Sequence, residues 1–355
     1  MSGTHLSASL YRRFQVCPQS ALFSISPESR SLNRPSLRAA LGLIAHKLLE
    51  EASIISQDWS TEEIDKWFEI NWQQILEKQY SELAAQWYPQ RVPVPTSWPG
   101  YFLTRASSKT LAIRNRGIFP LKASSKKGND IRKKEIGSLT FPLVEQLLVS
   151  DELKIMGRPD LVVIEEGLAT ILDYKFGSNV EEVAKYQTQM YFYKLLLENI
   201  TNIRVGKMVI VSGANREIDV HLDEKELRKL ESDIPRVADA LNSKNVTASP
   251  SVLNCGFCPF KSICQPFKNA KIYFFPGRPM AISGKVEEVR EIDDEFQELT
   301  IKNELGEIQD EYKVFSIPRA YQIARGSQVF LADNLDFRDE KVVRFSWNSR
   351  ISVIG

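Results

Sequence analysis

Asp160, Asp173 and Lys175 are the residues whose types and spacing suit chemistry on a charged substrate. Between the two aspartates, residues 161–164 and 169–172 are short β-branched or apolar runs separated by a Glu-Glu-Gly turn, which predicts a β-hairpin. Asp160 stands just before the first strand and Asp173 just after the second, so an antiparallel pair brings the carboxylates together opposite the turn. Side chains of an extended segment repeat with period two, which puts Lys175 on the side of Asp173. Two carboxylates and an ammonium in one small volume suit a hard divalent cation, Mg2+ or Mn2+, which takes one or two protein carboxylates and a substrate phosphate oxygen. The lysine would orient an attacking water or stabilise charge on a scissile phosphate. The plainer alternative is a hairpin that ends in solvated charges.

A second constellation is Cys255-x2-Cys258-x5-Cys264, the most specific local spacing in the chain. Three thiolates so placed close three corners of a metal or cluster site, and Cys17 is the one cysteine left to supply a fourth. No run approaches a membrane span, and the N-terminus lacks a signal-peptide core, so an intracellular, cytoplasmic protein without structural disulfides is expected. Spacing alone leaves zinc and iron-sulfur open, since both take this ligand count. Tying Cys17 to so distant a partner removes roughly 5 kcal/mol of unfolded-chain entropy, if the disulfide relation is borrowed as a guide.

The Pro159-Asp160 pair followed by Asp173-Tyr174-Lys175 resembles the PD-(D/E)XK nuclease superfamily, and Gly157-Arg158 is similar to the G-x-x-D lead of its RecB-like branch. The resemblance covers most of the first 268 residues. It implies a restriction-endonuclease-like mixed α/β sheet flanked by helices. It also implies a metal site of His46, Asp160 and Asp173, with the main-chain carbonyl of Tyr174 as a further ligand, because Gly42-Leu-Ile-Ala-His46 matches the helical G-x-x-x-H of these nucleases. Glu145 is a secondary ligand candidate from the strand before the hairpin. Gln187 and Tyr191, four apart on one helix face, resemble the Q-x-x-x-Y motif that positions the strand, although Ala184 replaces the tyrosine usual three residues earlier. A distant cysteine followed by C-x2-C-x5-C is similar to the [4Fe-4S] nucleases of that branch, including AddB nuclease domains and CRISPR-associated iron-sulfur exonucleases.

These residues need elements to hold them. Leu37, Leu41, Ile44 and Leu48 form the apolar stripe of a helix that carries His46, and the absent side chain of Gly42 is expected to let another element approach closely. Residues 6–23 predict a short helix broken at Pro18, and residues 60–87 a long one opened by a Ser60/Glu63 capping box. Residues 141–149 read as a strand, 180–199 as a helix, 207–211 and 217–222 as strands, and 224–241 as a helix. From Ala281 the texture changes to five strands, at 281–290, 296–303, 312–317, 328–332 and 342–347, which predict a small β-barrel of OB-like type. The expected organisation is a nuclease domain at 1–268 with a helical insertion at about 55–135, a linker at 269–280, and the barrel at 281–355. Such barrels hold single strands or serve as packing and partner modules.

The 355 residues are 43% hydrophobic and 26% charged, ordinary for a globular protein, and a net charge of +1 gives no global sign of a nucleic-acid partner. Between Arg105 and Lys134, however, ten basic residues face one acid, Asp130, which suits either a solvated loop or phosphate contacts. The resemblance implies a metal-dependent DNA nuclease acting on single-stranded ends. The rival is a non-catalytic DNA-binding or assembly subunit of a repair, recombination or CRISPR/defence complex. No G-x-x-x-x-G-K-[ST] phosphate loop is present, so any unwinding comes from a helicase partner.

Overall fold

The computed structural model describes residues 3–114, 131–132, 141–176, 184–212, 216–270, 272–275, 278–305 and 310–354, with backbone alone at 53, 131–132, 184–185 and 273–275. Two units emerge: Met1–Arg12, Pro35–Ser81 and Val94–Asn245 form the first, and Arg13–Arg34, Glu82–Pro93 and Val246–Gly355 the second. The second thus gathers three stretches expected in the nuclease domain with the C-terminal strands. No helix among the described residues is long and apolar enough to cross a membrane.

Pro18 breaks the N-terminal helical stretch into α1 (Ala8–Val16) and α2 (Pro18–Ile25). Ser36 caps α3 (Leu37–Glu51) by accepting from the Ala39 amide at 3.2 Å, and Leu37, Leu41, Ile44 and Leu48 are buried along its stripe. α4 (Thr61–Trp87) begins with the expected capping box: Glu63 Oε2 accepts from the Ser60 amide at 2.7 Å, and Ser60 Oγ from the Glu63 amide at 3.3 Å. α5 (Tyr101–Arg114) packs on α3.

A three-stranded sheet in the order β1 (Ile131–Arg132), β3 (Leu148–Ser150), β4 (Ile155–Gly157) stands beside a five-stranded one. The latter runs β2 (Leu143–Val144), β5 (Leu161–Glu165), β6 (Leu168–Lys175), β7 (Val205–Ser212), β8 (Glu217–Asp219). β5 and β6 are the expected hairpin, joined by Glu166 and Gly167, both with positive φ, the geometry of a two-residue turn between twisted strands. α6 (Ala184–Thr201) connects β6 to the parallel β7 and packs against both sheets. α7 (Glu224–Asn242) buries Leu227, Leu230, Ile234, Val237, Ala238 and Leu241 along one stripe. The single strand expected at 141–149 is instead two strands in different sheets, because Glu145 takes a positive φ of 48° between them.

In the second unit, α8 (Val252–Cys255) and α9 (Gln265–Asn269) flank the cysteine turns, and β9 (Tyr273–Phe275) pairs with β10 (Arg278–Pro279) inside the expected linker. Seven strands follow: β11 (Ala281–Glu291), β12 (Phe296–Asn303), β13 (Glu311–Pro318), β14 (Gln328–Ala332), β15 (Asp336–Phe337), β16 (Val342–Arg344) and β17 (Arg350–Ile354). Their order, β15-β16-β13-β12-β11-β14-β17, is a strongly curled half-barrel, not the closed OB-like barrel expected. β15 and β17 lengthen the sheet at opposite edges, and a two-residue edge strand such as β15 offers little backbone for sealing it. Its core contains Ile282, Val286, Leu299, Ile301, Tyr312 and Val314.

Candidate active site

Three elements of the first unit bring His46, Glu145 and Asp160 together. Their ligand atoms all lie within 4.8 Å of one another, an arrangement fit for one metal ion. α3 supplies His46, the break between β2 and β3 supplies Glu145, and the residue before β5 supplies Asp160. The Glu145 amide donates to the Asp160 carbonyl at 3.1 Å, which fixes the break against the hairpin. His46 Nδ1 is buried 3.1 Å from Glu145 Oε1 and 3.3 Å from Asp160 Oδ1. Phe176 meets the imidazole edge-on at 5.5 Å between ring centres and holds its plane. A buried imidazole nitrogen converging with two carboxylates is the donor set of a metal centre.

The hairpin does what its register requires. Leu161 faces Leu172, so Asp160 and Asp173 come next to each other, and the Tyr174 amide donates to Asp160 Oδ2 at 2.5 Å. Lys175 Nζ lies 2.5 Å from Asp173 Oδ2, and its ammonium sits 5.0 Å from the centre of the Tyr186 ring. Gly42 departs from expectation: a Cβ there would meet nothing within 4 Å, so the helix face one turn before His46 is open.

Burial and like charge make this a site in electrostatic conflict. Burial, then the neighbouring Asp173, hold the Asp160 carboxyl well above its usual range, although His46 and Lys175 pull it down. Burial would lower the His46 imidazolium, but Asp160 and Glu145 outweigh it and the pKa rises. Lys175 behaves alike: burial lowers it, while Asp173 and Asp160 raise it above its ordinary value. A cation among these carboxylates would relieve their repulsion.

Gln187 and Tyr191 do pair, at 2.6 Å from Gln187 Nε2 to the tyrosine oxygen. That oxygen also accepts from the Asp223 amide at 2.7 Å and donates to the His221 carbonyl at 3.1 Å, which anchors α6 to the chain entering α7. The pair that reaches the carboxylates is two residues further on. Gln189 Nε2 donates to Asp173 Oδ1 at 3.1 Å and contacts the Tyr193 hydroxyl at 2.7 Å, while Tyr193 donates to the Arg158 carbonyl at 3.0 Å. Two residues are about 200° around an α-helix, so the two pairs occupy opposite faces. Gly157 permits this contact, because a Cβ there would sit 2.9 Å from the Tyr193 ring. The signal was available: Q-x-x-x-Y recurs from Gln189, and Tyr186 stands three residues before it, where the earlier frame has Ala184.

All four cysteines belong to the second unit. The Cys17 sulfur accepts from the Ser249 amide at 3.5 Å, and the Cys258 thiol is 3.7 Å from Ser20 Oγ. Burial chiefly raises the Cys255 thiol, with Cys258 and Cys17 adding to it; Cys264 is raised by burial and by all three others. Cys255 and Cys264 therefore feel neighbouring sulfurs, yet no three cysteines form a group as compact as that of His46 among the described residues. Lys261, almost wholly buried, donates to the carbonyls of Cys255 and Gly256 at 3.0 and 3.1 Å. Of the basic stretch, residues 115–130 and 133–140 lie outside the described residues; Arg105 and Arg114 pair with Glu69 and Glu217, and Lys109 with Asp65 at 2.8 Å.

No curated protein matches this chain. Among solved structures, the crystal structure of SSO0001 is similar at 20% identity, over 31% of this chain and 50% of that one, with a TM-score of 0.22. The match spans half of that chain's length. Residues 5–265 match the family profile of the PD-(D/E)XK nucleases, a span that contains the hairpin, the histidine helix and every carboxylate of the site. By that match, the chain belongs to the PD-(D/E)XK nuclease superfamily.

Proposed function

We propose that this protein hydrolyses phosphodiester bonds of DNA as a Mg2+- or Mn2+-dependent nuclease, working as an exonuclease on single-stranded ends. Superfamily membership implies phosphodiester hydrolysis. The observation that carries the metal dependence is the convergence of His46, Glu145 and Asp160 beside the Asp173–Lys175 pair. His46, Glu145, Asp160 and Asp173 would hold the ion, with the Tyr174 carbonyl as a further ligand. When bound, a divalent cation supplies Lewis acidity and a lowered water pKa. Lys175, whose pKa is raised, stays an ammonium in the metal-free protein, so it donates to the attacking water or to a phosphate oxygen instead of removing a proton. Gln189 and Tyr193 take the positioning role first assigned to Gln187 and Tyr191, by holding Asp173 and the backbone at Arg158.

We extend the proposal to the RecB-like branch, with a structural [4Fe-4S] cluster on Cys17, Cys255, Cys258 and Cys264. The shared unit, the influence of neighbouring sulfurs on Cys255 and Cys264, and the C-x2-C-x5-C spacing support it. The organisation that goes with this proposal is a nuclease sequence at 1–268 and a module at 281–355 whose strands share a core with Cys255 and Phe267, served by a partner that unwinds DNA.

The test is degradation of end-labelled single-stranded and duplex DNA, with Mg2+ or Mn2+, by anaerobically purified protein beside Lys175→Ala. Cleavage lost in the variant with binding retained establishes the nuclease and its polarity. No cleavage by either, with equal binding, leaves a non-catalytic DNA-binding or assembly subunit.

A further inference from the structure

The outer face of the curled sheet carries charge that its fold does not need. Along β12 and β13, Leu299, Ile301, Tyr312 and Val314 point into the core, so the alternate residues Thr300, Lys302, Lys313 and Phe315 face outward. Lys302 is directly across from Lys285 on β11, and both are exposed. Like charges in register oppose strand pairing, so this pair costs stability. Lys313 lies across from Thr300, and Phe315 across from Arg344 of β16. Glu311 faces Lys302 in register, yet among the described residues Lys285, Lys302 and Lys313 make no ion pair. Asp310 is already engaged by Lys341 at 3.0 Å.

Between these strands lies an open groove of about 610 Å³, lined by Thr300, Lys302, Lys313, Lys341 and Val342 and by the two carboxylates Asp310 and Glu311, of which Asp310 is held by Lys341. Phe315 is absent from the buried core and half-exposed next to the basic row. Lys302 and Lys313 in the groove, Lys285 in register beside Lys302 and outward Phe315 two residues beyond Lys313 match what a single strand offers: phosphates at regular intervals and a base with a π-face. A duplex offers phosphates but no free base.

We propose that this face of β11, β12, β13 and β16 is a second nucleic-acid site, which holds the backbone of a single strand on Lys285, Lys302 and Lys313 and stacks a base on Phe315. It acts apart from the metal site and does not require that site to cut. Its function would be retention of a strand outside the catalytic centre.

The experiment uses the full chain carrying Lys175→Ala, in EDTA, so that no strand is cleaved. Binding of labelled oligonucleotides of about 20 residues (single-stranded DNA, single-stranded RNA and duplex DNA) is followed by anisotropy between roughly 50 and 200 mM salt. Lys285→Ala, Lys302→Ala and Lys313→Ala together are expected to flatten the slope of log K against log salt by about 2, at ~0.7 per phosphate contact. Phe315→Ala is expected to weaken single strands by about fivefold or more and duplex much less. The triple Lys→Arg variant keeps the slope, and because Lys285→Ala relieves a like-charge pair, its melting temperature should not fall.

An unchanged slope in the triple alanine variant overturns the site, as does oligonucleotide binding indifferent to all four substitutions, the result expected of a face for another protein. The DNA and RNA arms say which single strand is preferred. A wild-type protein that cuts nothing while the slope flattens would sink the nuclease proposal and leave this site standing. One that cuts normally with no change in slope would do the reverse.

Discussion

The His46 site and the cysteine region assemble their groups on opposite terms. In the first unit, three ligand groups lie within 4.8 Å before any ion arrives, with one carboxyl driven well above its usual pKa. In the second, the thiols stand wider, and burial keeps Cys255 and Cys264 protonated. The first stores repulsion that a cation would release. The raised thiols of Cys255 and Cys264 hold their protons, so a metal that takes them must displace those protons and its occupancy must depend on pH. Preorganisation thus costs stability at the carboxylates and little at the cysteines.

Removing Lys175 strikes the first region hardest. Lys175→Ala should lower metal-dependent cleavage by about 10²–10³-fold or more, with DNA affinity retained, as measured in single-turnover assays. Removing Cys258 strikes the second through folding. Cys258→Ser should yield poorly soluble protein without the visible absorbance of an iron-sulfur cluster, judged by soluble yield and iron content. A well-folded, fully active Cys258→Ser protein would show that the two regions differ more than proposed, the cysteines being bare thiols.

The two faces of α6 sharpen the contrast within one helix. Gln189→Ala should reduce activity or metal affinity by about 10- to 100-fold, the usual effect of losing a partner that orients a ligand. Gln187→Ala, which removes the bond to Tyr191 on the face away from Asp173, should leave both within about twofold and act on stability alone. Equal losses in the two variants would place the motif on both faces.

The smallest expected effect is thermodynamic. The folded Asp160 carboxyl holds its proton more tightly than the unfolded one, so its contribution favours folding at low pH. That contribution is lost as pH rises through the folded pKa. Asp160→Asn, which cannot ionise, should therefore raise the melting temperature in EDTA at neutral pH, by about 2–4 °C for each kcal/mol relieved. The gain should shrink toward the unfolded carboxylate range. Mn2+ added to the unsubstituted protein should raise its melting temperature too, and Asp160→Asn should blunt that response.

Much of the first region was legible because hairpin register is local. The runs at 161–164 and 169–172 and the turn between them were enough to set Asp160 beside Asp173, and period-two alternation put Lys175 with Asp173. The capping box at Ser60 and the stripe of α3 were legible for the same reason. Glu145 was only half legible: its place near the hairpin could be anticipated, but the positive φ that splits its strand between two sheets could not. Gln187 and Gln189 show the limit of a motif, since two overlapping frames fit the spacing and of the two only Gln189 contacts Asp173.

The sequence by itself determined the ligand types, the hairpin that pairs the aspartates, the helices and most of the C-terminal strands, because each depends on neighbours within a few residues. The tertiary structure alone decided three other things. It brought His46 from α3 to Asp160 across more than a hundred residues, left the half-barrel open by adding β15 and β17 at opposite edges, and joined Cys17 to the unit of Cys255. Those outcomes are set by contacts between segments distant in the chain, where local propensity is silent and burial and strand pairing decide.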